Sequence, residues 1–188
     1  MDIEQEGLKW QVGVWDRISP IYLRAIDNRF TEVVDAVVRR AALQSARQVL
    51  DLGTGTGSVA IKAASLVTPG GSVTAVDISP EMLDLARQRS ASLGLNNIEF
   101  LEGRAEELPV TGRFDAVLAS LSLMYLIDRA AAAREIAWVP GRLPIHLGFW
   151  LSWTAPESVR RSNRRRPSSP LKTSPRLGMC LPVLPPLS

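Results

Sequence analysis

The chain has 188 residues, of which 46% are hydrophobic, and its 22 Lys and Arg against 19 Asp and Glu give a formal net charge of +3. This length suits one domain with a sizeable core, and the single Cys and single His argue against a disulfide scaffold, a His-based metal cluster and a Cys-His catalytic pair. No apolar run reaches membrane-spanning length and the first residues lack the order of a signal peptide, so we expect a cytoplasmic protein without a membrane span.

Residues 1–45 are predicted to form a helical segment ahead of the core domain. Ser19 and Pro20 are typical of a helix start, and the apolar residues after them recur at spacings of three and four. This spacing places them on one face of a helix, which would pack against the core. The face comprises Ile26, Phe30, Val33, Val34, Val37, Val38 and Ala41.

Residues 49–57 run from a predicted buried strand directly into a loop with three glycines, and a helix is predicted to follow. Glycine is needed where a side chain would block a tight turn or the approach of a ligand to the backbone. Ser58 occupies the sixth position, where a dinucleotide loop has a further glycine. Asp51 would lie at the carboxyl end of the strand, in the crevice where open α/β sheets bind ligands. Its carboxylate would repel a pyrophosphate and attract an amino group.

A second predicted strand, residues 73–78, also ends in an acid. Asp77 follows the last glycine of the loop by 20 positions, where a carboxylate can accept hydrogen bonds from ribose hydroxyls. Ser-Pro-Glu at residues 79–81 is a helix start signal, because it supplies an N-cap, a first-turn proline and a first-turn acid. The helix is predicted over residues 80–93 and ends at Gly94.

These two segments resemble the first two motifs of the class I S-adenosylmethionine-dependent methyltransferases. The first motif of that family reads Asp/Glu-x-Gly-x-Gly-x-Gly, as residues 51–57 do, and the second reads Asp-x-Ser-Pro-x-Met-Leu, as residues 77–83 do. The resemblance spans about residues 10–137. It implies an α/β fold with a Rossmann-like, doubly wound and mostly parallel sheet, and S-adenosylmethionine as the cofactor.

The resemblance also implies which residues bind the cofactor. In that family the first acid holds the methionine amino group, the glycines pass beneath the cofactor, the second acid binds the ribose, and the residues after it contact the adenine. Met82 could equally be a core residue. The candidate cofactor-binding residues are Asp51, Gly53, Thr54, Gly55, Gly57, Asp77, Ile78, Met82, Arg104, Ala105 and Ser120.

The third and fourth predicted strands carry the rest of the resemblance. After residues 98–101 the family commonly has Gly-Asp-Ala, whose Asp accepts a hydrogen bond from the adenine amino group. This chain has Gly-Arg-Ala at residues 103–105, and an Arg offers no acceptor. Glu106 could substitute for the missing acid. The fourth strand, residues 114–123, has the family's Phe-Asp start and places Ser120 at its cofactor-facing end.

Aromatic residues are candidates for a lid and for the acceptor side of the site. Segments upstream of the core often close over the cofactor in this family, and an aromatic lid at Trp10, Trp15 and Tyr22 could shield the sulfonium and attract its charge. The alternative is that these side chains anchor a terminal segment to the core. No catalytic residue is assigned, although Tyr125 lies in a plausible position for a base and could equally be a packed side chain.

The chain changes character after residue 137. Residues 1–137 carry a net charge of −4, whereas residues 138–188 carry +7 and contain nine of the 13 prolines. Such a Pro- and Arg-rich segment is predicted to be largely disordered. A helix over 128–137 begins as in the family and the sequence then departs from it, so our hypothesis is a frameshift in the gene or its sequencing, with a natural basic tail as the alternative.

The change at residue 137 affects the predicted sheet. Four strands are clear, and residues 143–151 could add a fifth, which Pro144 would favour at an edge. We therefore expect the sheet to be incomplete at its C-terminal strands. An exposed edge would cause poor solubility or a homodimer through that edge.

The interpretation is a core at residues 46–137 that binds S-adenosylmethionine and transfers its methyl group to a small-molecule acceptor by in-line displacement. The layout looks most like the quinone-biosynthesis and small-molecule methyltransferases of the family. One alternative is an inactive remnant that at most binds the cofactor. Another is a nucleic-acid-binding protein using the basic cluster at residues 160–166, which lacks interleaved aromatics. A third, an NAD-dependent oxidoreductase, conflicts with Asp51 and the incomplete glycine pattern.

Overall fold

The computed structural model describes residues 3–45, 47–139 and 145–148. Two short irregular helical turns, Tyr22–Ile26 and Asp27–Phe30, separate the first two helices, and a further one at Leu123–Tyr125 follows the fourth strand. The regular elements in chain order are α1 (Ile3–Ile21), α2 (Thr31–Ala41), β1 (Gln48–Leu52), α3 (Ser58–Val67), β2 (Ser72–Asp77), α4 (Pro80–Ser92), β3 (Ile98–Glu102), β4 (Ala116–Ser120), α5 (Arg129–Trp138) and β5 (Ile145–Gly148).

The strands form one parallel sheet in the order β3-β2-β1-β4-β5. The predicted α/β class with a Rossmann-like parallel sheet is confirmed. Among the described strands the fifth lies at the edge, as Pro144 favoured. Because all described strands point the same way, the carboxyl ends of β1, β2 and β4 meet at one rim of the sheet, and the loops that leave them form the site described below.

Successive side chains of β1 point to opposite faces of the sheet and so contribute to two separate parts of the core. Val49 belongs to a cluster with α2 and α3, whereas Leu50 belongs to a cluster with Ile136 of α5. Both strand residues are fully buried, and burial of each such side chain contributes about 1.5–3 kcal/mol. Helices therefore cover both faces, which explains why β1 reads as a nearly continuous apolar run.

The predicted helix start at Ser19 and Pro20 is wrong, because both residues belong to the last turn of α1. Proline has no N–H to donate to the carbonyl of Asp16, and the Ser19 hydroxyl donates to that carbonyl instead at 2.9 Å. The hydroxyl thus replaces the hydrogen bond that Pro20 removes. The predicted long helix is interrupted by the turns at 22–30, and only its second half, α2, is regular.

The other predicted helix starts are confirmed. Ser79 caps α4, since its side chain accepts from the backbone N–H of Met82 at 3.2 Å. Asp128 caps α5 by accepting from the backbone N–H groups of Ala130 and Ala131, each at 2.9 Å. The α4 helix ends at Ser92, one residue before the predicted end.

Within the part of the chain that the structure describes, no helix has the length and apolar character needed to cross a membrane. The basic cluster at residues 160–166 lies outside the described residues, as do 149–188 as a whole and 140–144. The disordered tail, the frameshift and the homodimer therefore stay predictions.

Candidate functional site

A cavity opens at the rim where the carboxyl ends of β1, β2 and β4 meet. Its floor comes from the loops after these strands and its cover from the N-terminal segment. Most of the predicted cofactor-binding residues are brought together in its wall. They are Asp51, Gly53, Thr54, Gly55, Asp77, Ile78, Met82, Arg104, Ala105 and Ser120.

Gly57 is the predicted residue that does not line the cavity. Its backbone has a φ of +85°, and a Cβ placed there would lie 2.9 Å from Cβ of Ala86 in α4. Glycine is therefore required at this position for the close packing of α3 against α4. The residue shapes the site without facing it, contrary to the expectation that all three glycines pass beneath a ligand.

Gly53 and Gly55 differ in what surrounds them. A Cβ on Gly53 would lie 2.3 Å from Cβ of Ser122, whose hydroxyl donates to the carbonyl of Leu52 at 2.7 Å. Because Gly53 has no side chain, it leaves room for Ser122 in the loop that follows β4. Around Gly55, in contrast, no heavy atom of the residues that the structure describes lies within 4 Å of the position a Cβ would take. Of the two, only Gly55 leaves open space that a ligand could fill.

Asp77 ends β2 and is held rigidly by backbone donors. Its Oδ2 accepts from the N–H of Gly55 at 2.7 Å and its Oδ1 from the N–H of Ser79 at 3.0 Å. Burial raises the pKa of the Asp77 carboxyl, and these hydrogen bonds oppose that rise. Each carboxylate oxygen retains a further lone pair, so Asp77 can still accept hydrogen bonds from a ligand in the cavity.

Asp51 is almost fully buried, with 1% of its surface exposed. Its Oδ2 accepts from the Thr54 hydroxyl at 2.7 Å. Burial raises the pKa of the Asp51 carboxyl to about 7, and the nearby charge of Asp77 adds to the rise, while the Thr54 hydrogen bond opposes it. A carboxylate in this position is costly to ionise without a cationic partner. Asp51 is therefore well suited to pair with a cationic amino group of a ligand.

Within the described part of the chain, two buried polar atoms in the cavity wall have no hydrogen-bond partner, namely Nε of Arg104 and Oγ of Ser120. Buried polar atoms are normally hydrogen-bonded. The Arg104 Nε lies 3.6 Å from Oε2 of Glu106, which is an ionic contact beyond hydrogen-bonding distance. Both atoms are thus available to a ligand.

The N-terminal segment covers the cavity through two of the three aromatic residues predicted for a lid. Trp15 and Tyr22 line the cavity, whereas Trp10 is 70% exposed and lies outside its wall. The Trp15 ring packs edge-on against Tyr22, with ring centroids 6.3 Å apart, and against Tyr125 at 5.0 Å. Tyr125 therefore packs with the aromatic cover while also lining the cavity.

Asp16 and Asp27 were not identified from the sequence, although both fasten the N-terminal segment to the core. Asp16 accepts from the Ser79 hydroxyl at 2.6 Å. Asp27 accepts from the Ser58 hydroxyl at 2.7 Å and forms an ion pair with Arg89 at 3.2 Å. These contacts join the cover to the starts of α4 and α3. No local sequence signal could have identified them, because each partner lies far along the chain.

Comparisons with known proteins agree with this architecture. The family profile described as a methyltransferase domain matches residues 43–139, just over half of the chain. A solved S-adenosylmethionine-dependent methyltransferase from Aquifex aeolicus superposes with a TM-score of 0.55 at 26% identity, covering 60% of this chain and 62% of that one.

Two curated relatives carry names from quinone biosynthesis. A demethylmenaquinone methyltransferase of Chlorobaculum tepidum is 37% identical over 132 residues, which cover 65% of this chain and 51% of the relative. A ubiquinone/menaquinone biosynthesis C-methyltransferase of Pseudomonas putida is 36% identical over 116 residues, which cover 60% of this chain and 45% of the relative. The chain spans about half the length of these relatives. On the match of the family profile, the chain belongs to the methyltransferase-domain family.

Proposed function

We propose that this chain binds S-adenosylmethionine at the rim of its sheet and transfers the methyl group to a small-molecule acceptor. One observation carries the proposal. Asp51, which is buried, and Asp77, which is partly buried, lie at the carboxyl ends of adjacent parallel strands, and both line the cavity together with Gly55. A ligand that suits both acids needs hydroxyl donors at one end and a cationic amino group at the other.

The two acids suit the two ends of S-adenosylmethionine. Two backbone hydrogen bonds fix the orientation of the Asp77 carboxylate. Its remaining lone pairs would accept hydrogen bonds from the ribose hydroxyls. The carboxyl of Asp51 has a pKa of about 7 because of its burial, and an ammonium group beside it would favour the ionised form. A dinucleotide offers Asp51 a pyrophosphate rather than an ammonium, so the NAD alternative is not supported.

The aromatic cover is suited to the acceptor side. When bound, S-adenosylmethionine supplies a sulfonium whose methyl group is open to in-line attack. The rings of Trp15, Tyr22 and Tyr125 would exclude water and align the acceptor. Burial, and then the negative charge of Asp27, raise the pKa of the Tyr22 phenol. Tyr22 therefore stays protonated at neutral pH and would donate a hydrogen bond to the acceptor rather than remove its proton.

A small aromatic acceptor is consistent with the relatives, whose names refer to demethylmenaquinone and to ubiquinone/menaquinone biosynthesis. The cover of Trp15, Tyr22 and Tyr125 offers ring edges and faces to such a molecule.

Calorimetric titration with S-adenosylhomocysteine tests the proposal. We expect saturable binding by the wild type and a loss of roughly tenfold to a hundredfold in Asp77→Ala, which removes an acceptor of charge-assisted hydrogen bonds. The control is Asp84→Ala, an acid of α4 whose side chain is 61% exposed and pairs with Arg87 outside the cavity. A folded wild-type sample that does not bind would refute the proposal. Binding without methyl transfer to a quinone-like acceptor would refute that acceptor class and retain the cofactor site.

A further inference from the structure

The glycine loop after β1 is held near its far end by an arginine of α4. Nη1 of Arg89 donates to the backbone carbonyl of Thr56 at 2.6 Å. We propose that Arg89 is a positioning residue that keeps the loop in the conformation that Asp77 needs, and that Asp27 of the N-terminal segment holds Arg89 in place. This inference rests on the proposed function, because it concerns the affinity of the same site for the same cofactor.

The loop benefits from this support because its second half contains two glycines with a positive φ. Gly55 has a φ of +55° and Gly57 one of +85°, and glycine restricts the backbone less than any other residue. The N–H groups of Gly53 and Thr54, at the start of the loop, donate to the carbonyl of Val76 at 2.8 and 3.0 Å. These bonds attach the first half of the loop to β2, and the arginine attaches the second half to α4.

The orientation of Asp77 depends on the same stretch of backbone. Its Oδ2 accepts from the N–H of Gly55 at 2.7 Å, and Thr56 follows Gly55 directly. A shift of the Thr56 carbonyl would displace the peptide groups beside it and misalign this hydrogen bond, and hydrogen bonds weaken steeply when they are misaligned. The Asp77 carboxylate would then lose one of the two backbone donors that fix its orientation.

Arg89, two hydroxyl groups and Asp27 form a closed cluster in which every hydrogen bond has a consistent direction. Nη1 of Arg89 donates to the hydroxyl oxygens of Thr56 at 3.2 Å and Ser58 at 3.0 Å. The same two hydroxyls donate to Asp27, at 3.2 Å from Thr56 and 2.7 Å from Ser58. Asp27 also forms an ion pair with Arg89 at 3.2 Å, and the two side chains are only 12% and 30% exposed. Solvent therefore screens this pair less than a surface pair, and the charge of Asp27 keeps the guanidinium against the loop.

A positioning role and a purely structural role predict different results. If the cluster only fastened the N-terminal segment, Arg89→Met would lower stability and leave the affinity of the folded protein unchanged. If Arg89 acts through Asp77, the same substitution should weaken binding of S-adenosylhomocysteine about threefold to tenfold. Its effect should fall below about twofold once Asp77 is already replaced by Ala, because no carboxylate then remains to be positioned.

Calorimetric titration with S-adenosylhomocysteine measures this cycle in the wild type, Arg89→Met, Asp77→Ala and the double variant. Circular dichroism establishes that each protein is folded at the temperature of the titration. The control is Arg87→Met, also in α4. The Arg87 side chain is 45% exposed, pairs with Asp84 and donates to the carbonyl of Phe100 at 3.2 Å, away from the loop. The control should bind as its parent does, with Asp77 present or replaced.

Asp27→Asn provides a second variant in case Arg89→Met does not fold. The amide keeps an oxygen that can accept from Ser58 and loses the charge that attracts the guanidinium, so affinity should fall about twofold to fivefold, again only while Asp77 is present. Equal losses with and without Asp77, or no loss in a folded variant, would overturn the inference and leave the proposed function intact. A folded wild type that does not bind would overturn the proposed function as well.

Discussion

Replacement of Asp51 by Asn should stabilise the ligand-free protein at neutral and alkaline pH. The wild-type carboxyl is 1% exposed, and burial raises its pKa from 3.8 to about 7. In the unfolded chain the same group ionises near its ordinary value. Between these two values the folded state binds more protons than the unfolded state, so the free energy of unfolding falls as the pH rises.

The magnitude follows from the two pKa values. Each pKa unit corresponds to about 1.4 kcal/mol, so a rise from 3.8 to about 7 amounts to roughly 4 kcal/mol of lost stability above pH 7. The loss begins near pH 4 and is complete above pH 7. Asn is neutral throughout and its oxygen can still accept from Thr54, which donates at 2.7 Å in the wild type. The variant should therefore avoid most of this loss.

Urea unfolding of both proteins at several pH values between 5 and 8.5 measures the effect. The pKa of Asp77 is raised too, but Asp77 is present in both proteins, so the difference between them reports mainly on Asp51. We expect the stability advantage of Asp51→Asn to grow with pH up to about 7 and then level off. A difference that stays constant over this range would refute the argument that burial makes Asp51 costly to ionise.

Two further pairs of substitutions separate packing from ligand contact. Gly57→Ala should lower the free energy of unfolding by roughly 1–3 kcal/mol, because a left-handed backbone costs about 1–2 kcal/mol and the new Cβ meets Ala86 at 2.9 Å. Gly55→Ala, which has open space around it, should lose only the backbone contribution when its unfolding is measured under the same conditions. Trp15→Ala should weaken S-adenosylmethionine binding by about 0.5–2 kcal/mol in calorimetry, whereas Trp10→Ala, at an exposed position outside the cavity wall, should bind as the wild type does.

The sequence was sufficient for features whose causes are local. A strand followed by a glycine loop and a helix start requires only neighbouring residues, and Asp51 and Asp77 accordingly lie at the predicted strand ends. The helix start at Ser79 is equally local, since its hydrogen bond reaches only to Met82. Such patterns predict both the fold and the rim on which the site lies.

The sequence was insufficient where a residue's partner lies far along the chain. Gly53 is required by Ser122 and Gly57 by Ala86, and neither contact follows from the spacing of the glycines. The Ser19-Pro20 pair is ambiguous for a different reason. A serine hydroxyl can cap the next helix or replace the hydrogen bond that proline removes from the preceding one, and here it does the latter. Only the tertiary arrangement decides between these two uses.

The burial of Asp51 also makes cofactor binding dependent on pH. At pH 7 a carboxyl with a pKa of about 7 is about half protonated in the free protein. An ammonium group beside it would favour the carboxylate, so binding of S-adenosylhomocysteine should release about half a proton at pH 7 and almost none above pH 8.5. Titration in buffers with different ionisation enthalpies measures this number directly.

The same titration with Asp51→Asn identifies the source of the proton. Asn has no proton to release, so the dependence of the binding enthalpy on the buffer should disappear at pH 7, and affinity should fall because the ammonium loses its charged partner. Asp77 is unchanged in this variant and still accepts from Gly55 and Ser79. If the variant released as many protons as the wild type, Asp77 or another group would be the one that titrates, and Asp51 would not be the partner of the amino group.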